Sequence, residues 1–307
     1  MAEVKAMNEA EQIVDFMSIC SLEVTPNGAA KIDDFRHVLR EGQTVYVTFL
    51  PGSDFADTVT TVKKLKAQGM HPVPHFAARS IPSKAFLEEN LKMLQGECQL
   101  DEALLIGGGV DNPVGEFSES MQVLRTGLFQ QYGINKLGVA GHPEGSPDIP
   151  PADCDRAVRE KNAFAKETGM ELYIATQFCF EAAPIIEWDR HLREDVGNEL
   201  PIHIGIPGLA TIKTLIKHAQ QCGIGNSMRV LTRQAANITK LMSVREPDKL
   251  VRELAAEHAR NSKFGVSQCH LYPLGGLKKS AAWLYGVQDG AIELQSKGGF
   301  KTDYSVD

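Results

Sequence analysis

The sequence predicts an α/β fold, a (β/α)8 TIM barrel, from three observations. About eight short apolar segments alternate with amphipathic helical segments. The length of 307 residues is typical of a single barrel. Polar or glycine residues follow segment after segment, at the positions where a barrel gathers its functional side chains. A doubly wound open sheet is the alternative, but the chain lacks its usual GxGxxG phosphate fingerprint after the first strand.

The predicted strands are short runs rich in apolar and β-branched residues, most of them closed by a turn signal. They are Ile19–Val24, Thr44–Leu50, His71–Ala77, Glu102–Ile106, Lys136–Ala140, Glu171–Gln177, Ile202–Ile206 and Gly265–Leu271.

The predicted helices carry apolar residues on one face, and some have a polar cap, such as Asp54 before the second. They are Ile32–Arg40, Asp54–Gln68, Ser83–Leu94, Phe117–Gln130, Asp153–Thr168, Ala182–Glu194, Thr211–Gln221, Asn226–Met242, Pro247–Lys263 and Lys278–Tyr285. Thr25–Gly28 reads as a loop, and Met1–Asp15 as an N-terminal helical arm. We therefore expect one barrel domain over residues 1–286, followed by a loosely held polar tail over 287–307.

The composition, with 43% hydrophobic and 23% charged residues, is that of an ordinary globular protein. A net charge of −7 with both signs scattered disfavours nucleic acid or an anionic membrane as the main partner. None of the six cysteines forms a CxxC pair, so we expect reduced thiols in a cytoplasmic protein. Neither a signal peptide nor a membrane span is predicted. The sequence leaves the oligomeric state open, and a homo-oligomer is possible.

The stretch from Tyr173 to Glu181 is the centre of the predicted site. A buried strand ends there at Gln177, whose amide can donate to and accept from a heterocyclic ring. A core strand with a capping glutamine is the alternative. Glu23 lies near the end of the first strand, where burial would raise its pKa and make it a usable general acid. His75, between Pro74 and Phe76, is either a site residue or a packed histidine.

A run of three glycines, Gly107, Gly108 and Gly109, follows the fourth strand. Without side chains, this backbone can approach a flat ring or a phosphate closely, although a plain flexible turn has the same composition. Asp111 follows and could accept hydrogen bonds from a ring N–H and an amino group.

Asn162 and Lys166 lie one turn apart on a helix and could hold a pyrophosphate or a ribose, or simply face solvent. The chain has no HExxH, GKS/GKT or GxSxG motif and no His/Cys cluster at metal spacing. We therefore expect no metal site and no serine-hydrolase mechanism.

In order and spacing, these pieces resemble methylenetetrahydrofolate reductase in its bacterial single-domain form. The matching segments run from about Ser21 to Tyr272. They are Ser21-Leu22-Glu23, Val47-Thr48-Phe49, Pro74-His75, Gly141-His142-Pro143-Glu144, Asn162 with Lys166, Ala175-Thr176-Gln177-Phe178-Cys179-Phe180, Ile206-Pro207-Gly208 and His270-Leu271-Tyr272.

The resemblance implies an oxidoreductase in which FAD lies at the barrel mouth. NAD(P)H reduces the flavin, and the flavin then reduces 5,10-methylenetetrahydrofolate to 5-methyltetrahydrofolate. Glu23 matches the general acid, and the implied folate contacts are Gln177, Asp111 and Tyr272. The implied flavin contacts are Thr48, His75, Gly107, Gly108, Gly109, Ala140, His142, Asn162, Lys166 and Ala175.

The chain departs from the family pattern at three places. Gly107–Gly109 replaces an Arg-Gly-Asp sequence, so that Asp111 would have to supply the carboxylate from a shifted loop. His142 stands where tyrosine is common, and Gly275-Gly276 replaces Asn-Arg. Two other functions therefore stay open: a tetrahydrofolate-dependent methyltransferase barrel and a non-catalytic folate- or flavin-binding homologue.

Overall fold

In the computed structural model, which describes residues 7–50, 52–221 and 242–305, eight parallel strands close into a barrel. Going round the barrel they are β1 (Cys20–Val24), β2 (Thr44–Val47), β3 (His71–Ala77), β4 (Glu102–Ile106), β5 (Lys136–Gly141), β6 (Glu171–Phe178), β7 (Ile202–Pro207) and β10 (Val266–Tyr272). β10 pairs with β1 and completes the ring. Two short strands between β7 and β10 in the chain, β8 (Ala210–Thr211) and β9 (Val244–Arg245), form a separate antiparallel pair. The predicted (β/α)8 fold is confirmed.

The strands alternate between two buried faces, as expected of a barrel wrapped in helices. Outward-facing side chains such as Leu22 and Val45 belong to the large core under the helices. A smaller inner cluster fills the barrel with Tyr46, Val73, Leu104 and Tyr173. The Tyr46 and Tyr173 hydroxyls are 2.5 Å apart and share a hydrogen bond in the buried interior. This layer fills the barrel below the mouth.

The helices surround the barrel, and several begin at the predicted caps. Asp54 Oδ1 accepts from Ala56 N, and Ser83 Oγ accepts from Phe86 N. The helices are Glu9–Met17, Pro26–Ala29, Phe55–Ala67, Lys84–Cys98, Ser120–Leu124, Leu128–Gln131, Pro151–Thr168, Ala182–His191, Ile212–Gln221, Asp248–Arg260 and Leu277–Gln288. The predicted helix Asn226–Met242 lies almost wholly outside the described residues.

Two helix predictions are wrong in detail, because local capping breaks the helices. The segment Ile32–Arg40 contains only a 3-10 turn, Phe35–His37, started by Asp34, whose Oδ1 accepts from Arg36 N. The predicted loop after Thr25 instead forms a one-turn helix, with the Thr25 hydroxyl as its cap. The predicted helix Phe117–Gln130 is split in two at Gly127, whose φ is 71°.

The expectation of a loosely held tail is also wrong. Residues after 287 form two antiparallel strands, β11 (Ile292–Leu294) and β12 (Phe300–Thr302). Phe300 is 1% exposed and stacks on Trp283 at 6.0 Å between ring centroids. Arg252 Nη1 donates to the carbonyl oxygens of Gln295 and Gly299 and ties the hairpin to a barrel helix. Burial of one aromatic side chain therefore orders a segment that looks polar in sequence.

Two further findings bear on the environment of the protein. Within the described ranges, no helix is both long and apolar enough to cross a bilayer. The five described cysteines carry free thiols, and four of these side chains are buried.

Candidate active site

A cavity of about 1920 Å³ opens at the end of the barrel where the strands finish. Functional side chains of (β/α)8 proteins gather at this end. Eleven of the fourteen residues predicted from sequence line this cavity: Glu23, Thr48, His75, Gly107, Gly108, Gly109, Ala140, His142, Ala175, Gln177 and Tyr272. Glu23 and Gln177, distant in sequence, therefore face the same space.

The structure does not bring Asn162, Lys166 or Asp111 to this cavity. Asn162 is buried elsewhere, where its amide binds the side chain of Asn198 and accepts from the backbone N of Glu199. Lys166 is exposed and pairs with the Glu199 carboxylate at 2.8 Å.

Asp111 is exposed in the loop after β4 and does not line the cavity. The predicted flavin contacts of Asn162 and Lys166 and the predicted folate contact of Asp111 are therefore corrected. On the helix Pro151–Thr168, the side chain that reaches the cavity is Lys161, one residue before Asn162. Because consecutive helical residues differ by about 100° in direction, an error of one residue moves a side chain off the cavity wall.

The loop after β4 is held close to the loop after β3. Arg79 Nε donates to the Ser118 carbonyl and Nη1 donates to the Val110 carbonyl, at 3.1 and 3.2 Å. Gly108 has a φ of 93°, and a Cβ there would lie 3.1 Å from Ala77 Cβ. A side chain at Gly107 or Gly109 would meet open space, so only the middle glycine is required by the backbone.

Glu23 lies at the bottom of the cavity between two histidines. Its Oε2 is 3.6 Å from His270 Nε2 and 3.8 Å from His75 Nε2. His270 Nδ1 forms a 2.8 Å hydrogen bond with Ser21 Oγ, which also accepts from Gln268 Nε2 at 3.4 Å. Since Ser21 accepts from Gln268, its own hydroxyl proton is available to His270 Nδ1. The other ring nitrogen, Nε2, faces the Glu23 carboxylate.

The pKa of Glu23 departs from the expectation based on burial. Burial is the largest single influence and raises the pKa of this carboxyl, but the interactions with His270, His75 and Thr48 together outweigh it, so that the net pKa is lowered. Burial lowers the pKa of His75 to about 4, so that this side chain is neutral near pH 7. The net pKa of Glu23 therefore lies below its usual value, whereas the sequence predicted that burial would raise it. Glu23 can act as an acid only after the Glu23–His270 pair has taken up a proton.

The side-chain amide of Gln177 has its oxygen held by a hydrogen bond and its NH2 group unbound within the described residues. Its Oε1 accepts from the backbone N of Phe178 at 3.1 Å, while no partner of its amide NH2 is found in the described chain. Beside it, the Tyr272 hydroxyl donates to the Thr176 carbonyl at 2.8 Å, and the Tyr272 ring packs edge-on against Phe178 and His270. The cavity therefore offers a carboxylate, amide donors and an aromatic wall to a planar polar ring.

Ser21 and His270 were not proposed as site residues from sequence. The sequence did contain a signal for these two residues, because side chains two positions apart on a strand point to the same face of the sheet. Ser21 precedes Glu23 by two residues, and His270 precedes Tyr272 by two. Lys161 was missed because the charged sequence of its helix does not define which face is buried.

Asp155 on the cavity wall is held by His191 on the next helix. His191 Nδ1 lies 2.9 Å from Asp195 Oδ2, and Nε2 lies 3.0 Å from Asp155 Oδ1. Hydrogen bonds to the Asp195 and Asp155 carboxylates raise the pKa of His191, since both ring nitrogens can donate only in the cationic form.

We predict that His191→Gln lowers the melting temperature at pH 6 and has a smaller effect at pH 8.5. Because the pKa of His191 is higher in the folded state than in the unfolded state, protonation of this side chain stabilises the fold. This stabilisation is complete below the unfolded pKa near 6.5 and is lost as the pH rises through the folded pKa. Melting curves of wild type and variant across this range measure the difference. A difference that does not change with pH would contradict the assignment of charge to His191.

No protein-family model matches the chain. The structure is similar to that of an uncharacterised protein from Clostridium thermocellum, which binds two copies of 5-methyl-5,6,7,8-tetrahydrofolic acid. The TM-score is 0.57 at 13% identity, over 88% of this chain and 94% of that chain. It is also similar to a chitinase from Rhizomucor miehei, with a TM-score of 0.50 at 12% identity, over 88% and 99% of the two chains. At these identities the similarity shows the barrel fold alone.

Proposed function

We propose that this protein binds a reduced folate at the barrel mouth and catalyses the FAD-dependent reduction of 5,10-methylenetetrahydrofolate to 5-methyltetrahydrofolate with NAD(P)H. The observation that carries the proposal is the convergence of Glu23 and Gln177 on one large cavity. Its volume of about 1920 Å³ exceeds the ~300–1,000 Å³ typical of a site for one drug-sized ligand. Two ring systems can therefore share it.

The lining residues fit a flavin ring. Ala140 and Ala175 are paired neighbours on β5 and β6, and their small side chains leave a shallow wall beside the glycine loop. Thr48 and His75 would contact the ring from β2 and β3, and the neutral His142, whose pKa burial lowers to about 4, would contact it from the loop after β5. FAD, when bound, supplies the hydride-transfer chemistry.

The side chains of the protein would orient the folate and supply the proton that opening of its five-membered ring requires. The free amide N–H groups of Gln177 can donate to the carbonyl or ring nitrogen of a pterin. Glu23, ionised at rest, can accept from the pterin N–H groups or, with His270, hold a proton near the bridging carbon. Opening the five-membered ring of methylenetetrahydrofolate requires protonation of the departing nitrogen, and the Glu23–His270 pair would supply this proton.

The similarity to the Clostridium thermocellum protein supports the folate part of the proposal. That barrel binds two copies of 5-methyltetrahydrofolate, which is the product of the proposed reaction. The similarity to the chitinase concerns the barrel fold and adds no argument about the chemistry of this cavity.

A folate-dependent methyltransferase barrel is the second candidate, and one specific observation favours it. Two residues implied as flavin contacts lie outside the cavity, where Asn162 binds Asn198 and Lys166 binds Glu199. A barrel that moves a methyl group from tetrahydrofolate needs Glu23 and Gln177 but no flavin.

Reconstitution with FAD separates the two functions. The reductase is expected to bind FAD with a visible flavin spectrum, to be bleached by NADH or NADPH, and to oxidise the donor when methylenetetrahydrofolate is added. Tight binding of 5-methyltetrahydrofolate without any binding of FAD would instead support the methyltransferase. Failure to bind either ligand would refute both.

A further inference from the structure

Lys161 is a buried cation on the cavity wall whose role the mechanism above leaves open. The residue is 5% exposed, and its Nζ donates to the backbone carbonyl of Ala140 at 3.1 Å. Within the part of the chain that the structure describes, no carboxylate lies within 4.0 Å of Nζ. The bond to Ala140 uses one of its three N–H donors, and the other two have no hydrogen-bond partner among the described residues.

Such a cation is costly unless an anion joins it. Buried charges in proteins are normally paired, and an unpaired ammonium favours any anion that can enter its site. The side chain borders the cavity beside Gly141 and His142, so a ligand that enters the mouth can reach it. The arrangement is that of an anion subsite open only to a ligand in the cavity.

We propose that Lys161 binds the pyrophosphate of a dinucleotide ligand in this cavity. The proposal rests on the proposed function, in which FAD occupies the mouth. It assigns to Lys161 the role that the sequence pattern gave to Lys166. The alternative anion, the glutamate tail of the folate, has other cations available at the rim, the exposed Lys278 and the half-buried Lys279.

The charge of Lys161 is also set to change near neutral pH. Burial lowers its pKa to about 8. The other charged or titratable groups near it are Cys154 and Glu160 on its own helix, Glu119 before the helix Ser120–Leu124, and His142 after β5. Burial raises the pKa of the Cys154 thiol, and His142 is neutral above pH 5, so neither gains or loses charge between pH 7 and 8.

The variant Lys161→Met keeps the length and apolar stem of the side chain and removes the charge. We expect roughly 10- to 100-fold weaker binding of FAD, the range for losing a charged hydrogen bond. Riboflavin, which lacks the phosphates, should bind wild type and variant equally. Wild-type affinity for FAD should fall toward the variant's between pH 7 and 9, as the ammonium loses its proton. Lys63→Met, an exposed lysine paired with Glu97, is the matched control and should bind like wild type.

Inorganic pyrophosphate as a probe decides the proposal independently of the flavin. Calorimetric titration should detect pyrophosphate binding to wild type that is lost in Lys161→Met and retained in Lys166→Met. Equal binding by wild type and Lys161→Met, or loss in Lys166→Met alone, would overturn the assignment. Loss of folate rather than pyrophosphate affinity in Lys161→Met would also overturn it. Failure of wild type to bind FAD while pyrophosphate binding depends on Lys161 would refute the reductase and keep the anion subsite.

Discussion

Glu23→Gln is expected to lower the rate of methylenetetrahydrofolate reduction by about 10²- to 10⁴-fold, the usual contribution of a positioned acid or base. The amide keeps the shape of the side chain but cannot take up a proton. Reduction of bound flavin by NAD(P)H should be unchanged, since that step needs no proton from residue 23. Stopped-flow measurement of the two half-reactions separates these effects.

The exposed Glu199, which lies outside the cavity, provides the control for Glu23→Gln. Glu199→Gln makes the same chemical change and should leave both half-reactions as they are in wild type. Equal loss of flavin reduction and folate reduction in Glu23→Gln would contradict a role for Glu23 in protonation and indicate a general defect of the cavity. Unchanged folate reduction would remove Glu23 from the mechanism.

Gly205→Ala is expected to destabilise the fold by about 1–3 kcal/mol and to weaken folate binding. A Cβ at Gly205 would lie 2.6 Å from the Gln177 carbonyl oxygen and 2.7 Å from the Thr176 carbonyl oxygen. Both are backbone atoms that cannot rotate away. The β6–β7 register shifts at this place, and Thr176 Oγ1 accepts from Gly205 N at 2.9 Å. The added methyl group would therefore displace the strand end that holds Gln177.

Denaturant unfolding and folate titration measure the two consequences of Gly205→Ala. Gly96→Ala is the matched control, because Gly96 lies within the helix Lys84–Cys98 and a Cβ there meets no atom within 4 Å. Alanine is favoured over glycine at such a position by roughly 0.5–1 kcal/mol. If Gly205→Ala unfolds like wild type and binds folate normally, the close packing of β7 against the Gln177 strand end is not as described.

Much of the fold could be predicted because its strands are apolar runs with clear ends. Glu102–Ile106 was predicted with the bounds that the structure shows, since a glycine run follows it directly. The segment around residues 26–40 was not predictable in the same way. There, side chains such as Thr25 and Asp34 compete with the helix for backbone N–H groups, and the outcome depends on which bond forms.

The sequence predicted those site residues whose placement follows from their position at a strand end. It did not predict properties that depend on contacts with residues from other parts of the chain. Glu23 and Gln177 lie at strand ends, so the fold alone brings them together. The protonation of Glu23 depends on His270, almost 250 residues away in sequence, and no local pattern reports that contact. The choice between Lys161 and Lys166 depends on how the helix Pro151–Thr168 is rotated, which its few apolar residues do not fix.

The proposed reaction requires that one cavity holds a flavin and a reduced folate in contact, above Glu23 and beside Gln177. Anaerobic single-turnover reaction of the FAD-loaded, NAD(P)H-reduced protein with methylenetetrahydrofolate tests it most directly. We expect the flavin to be reoxidised at a rate that rises with folate concentration, with one 5-methyltetrahydrofolate formed per flavin. A reduced flavin that binds but stays reduced in the presence of methylenetetrahydrofolate would contradict it.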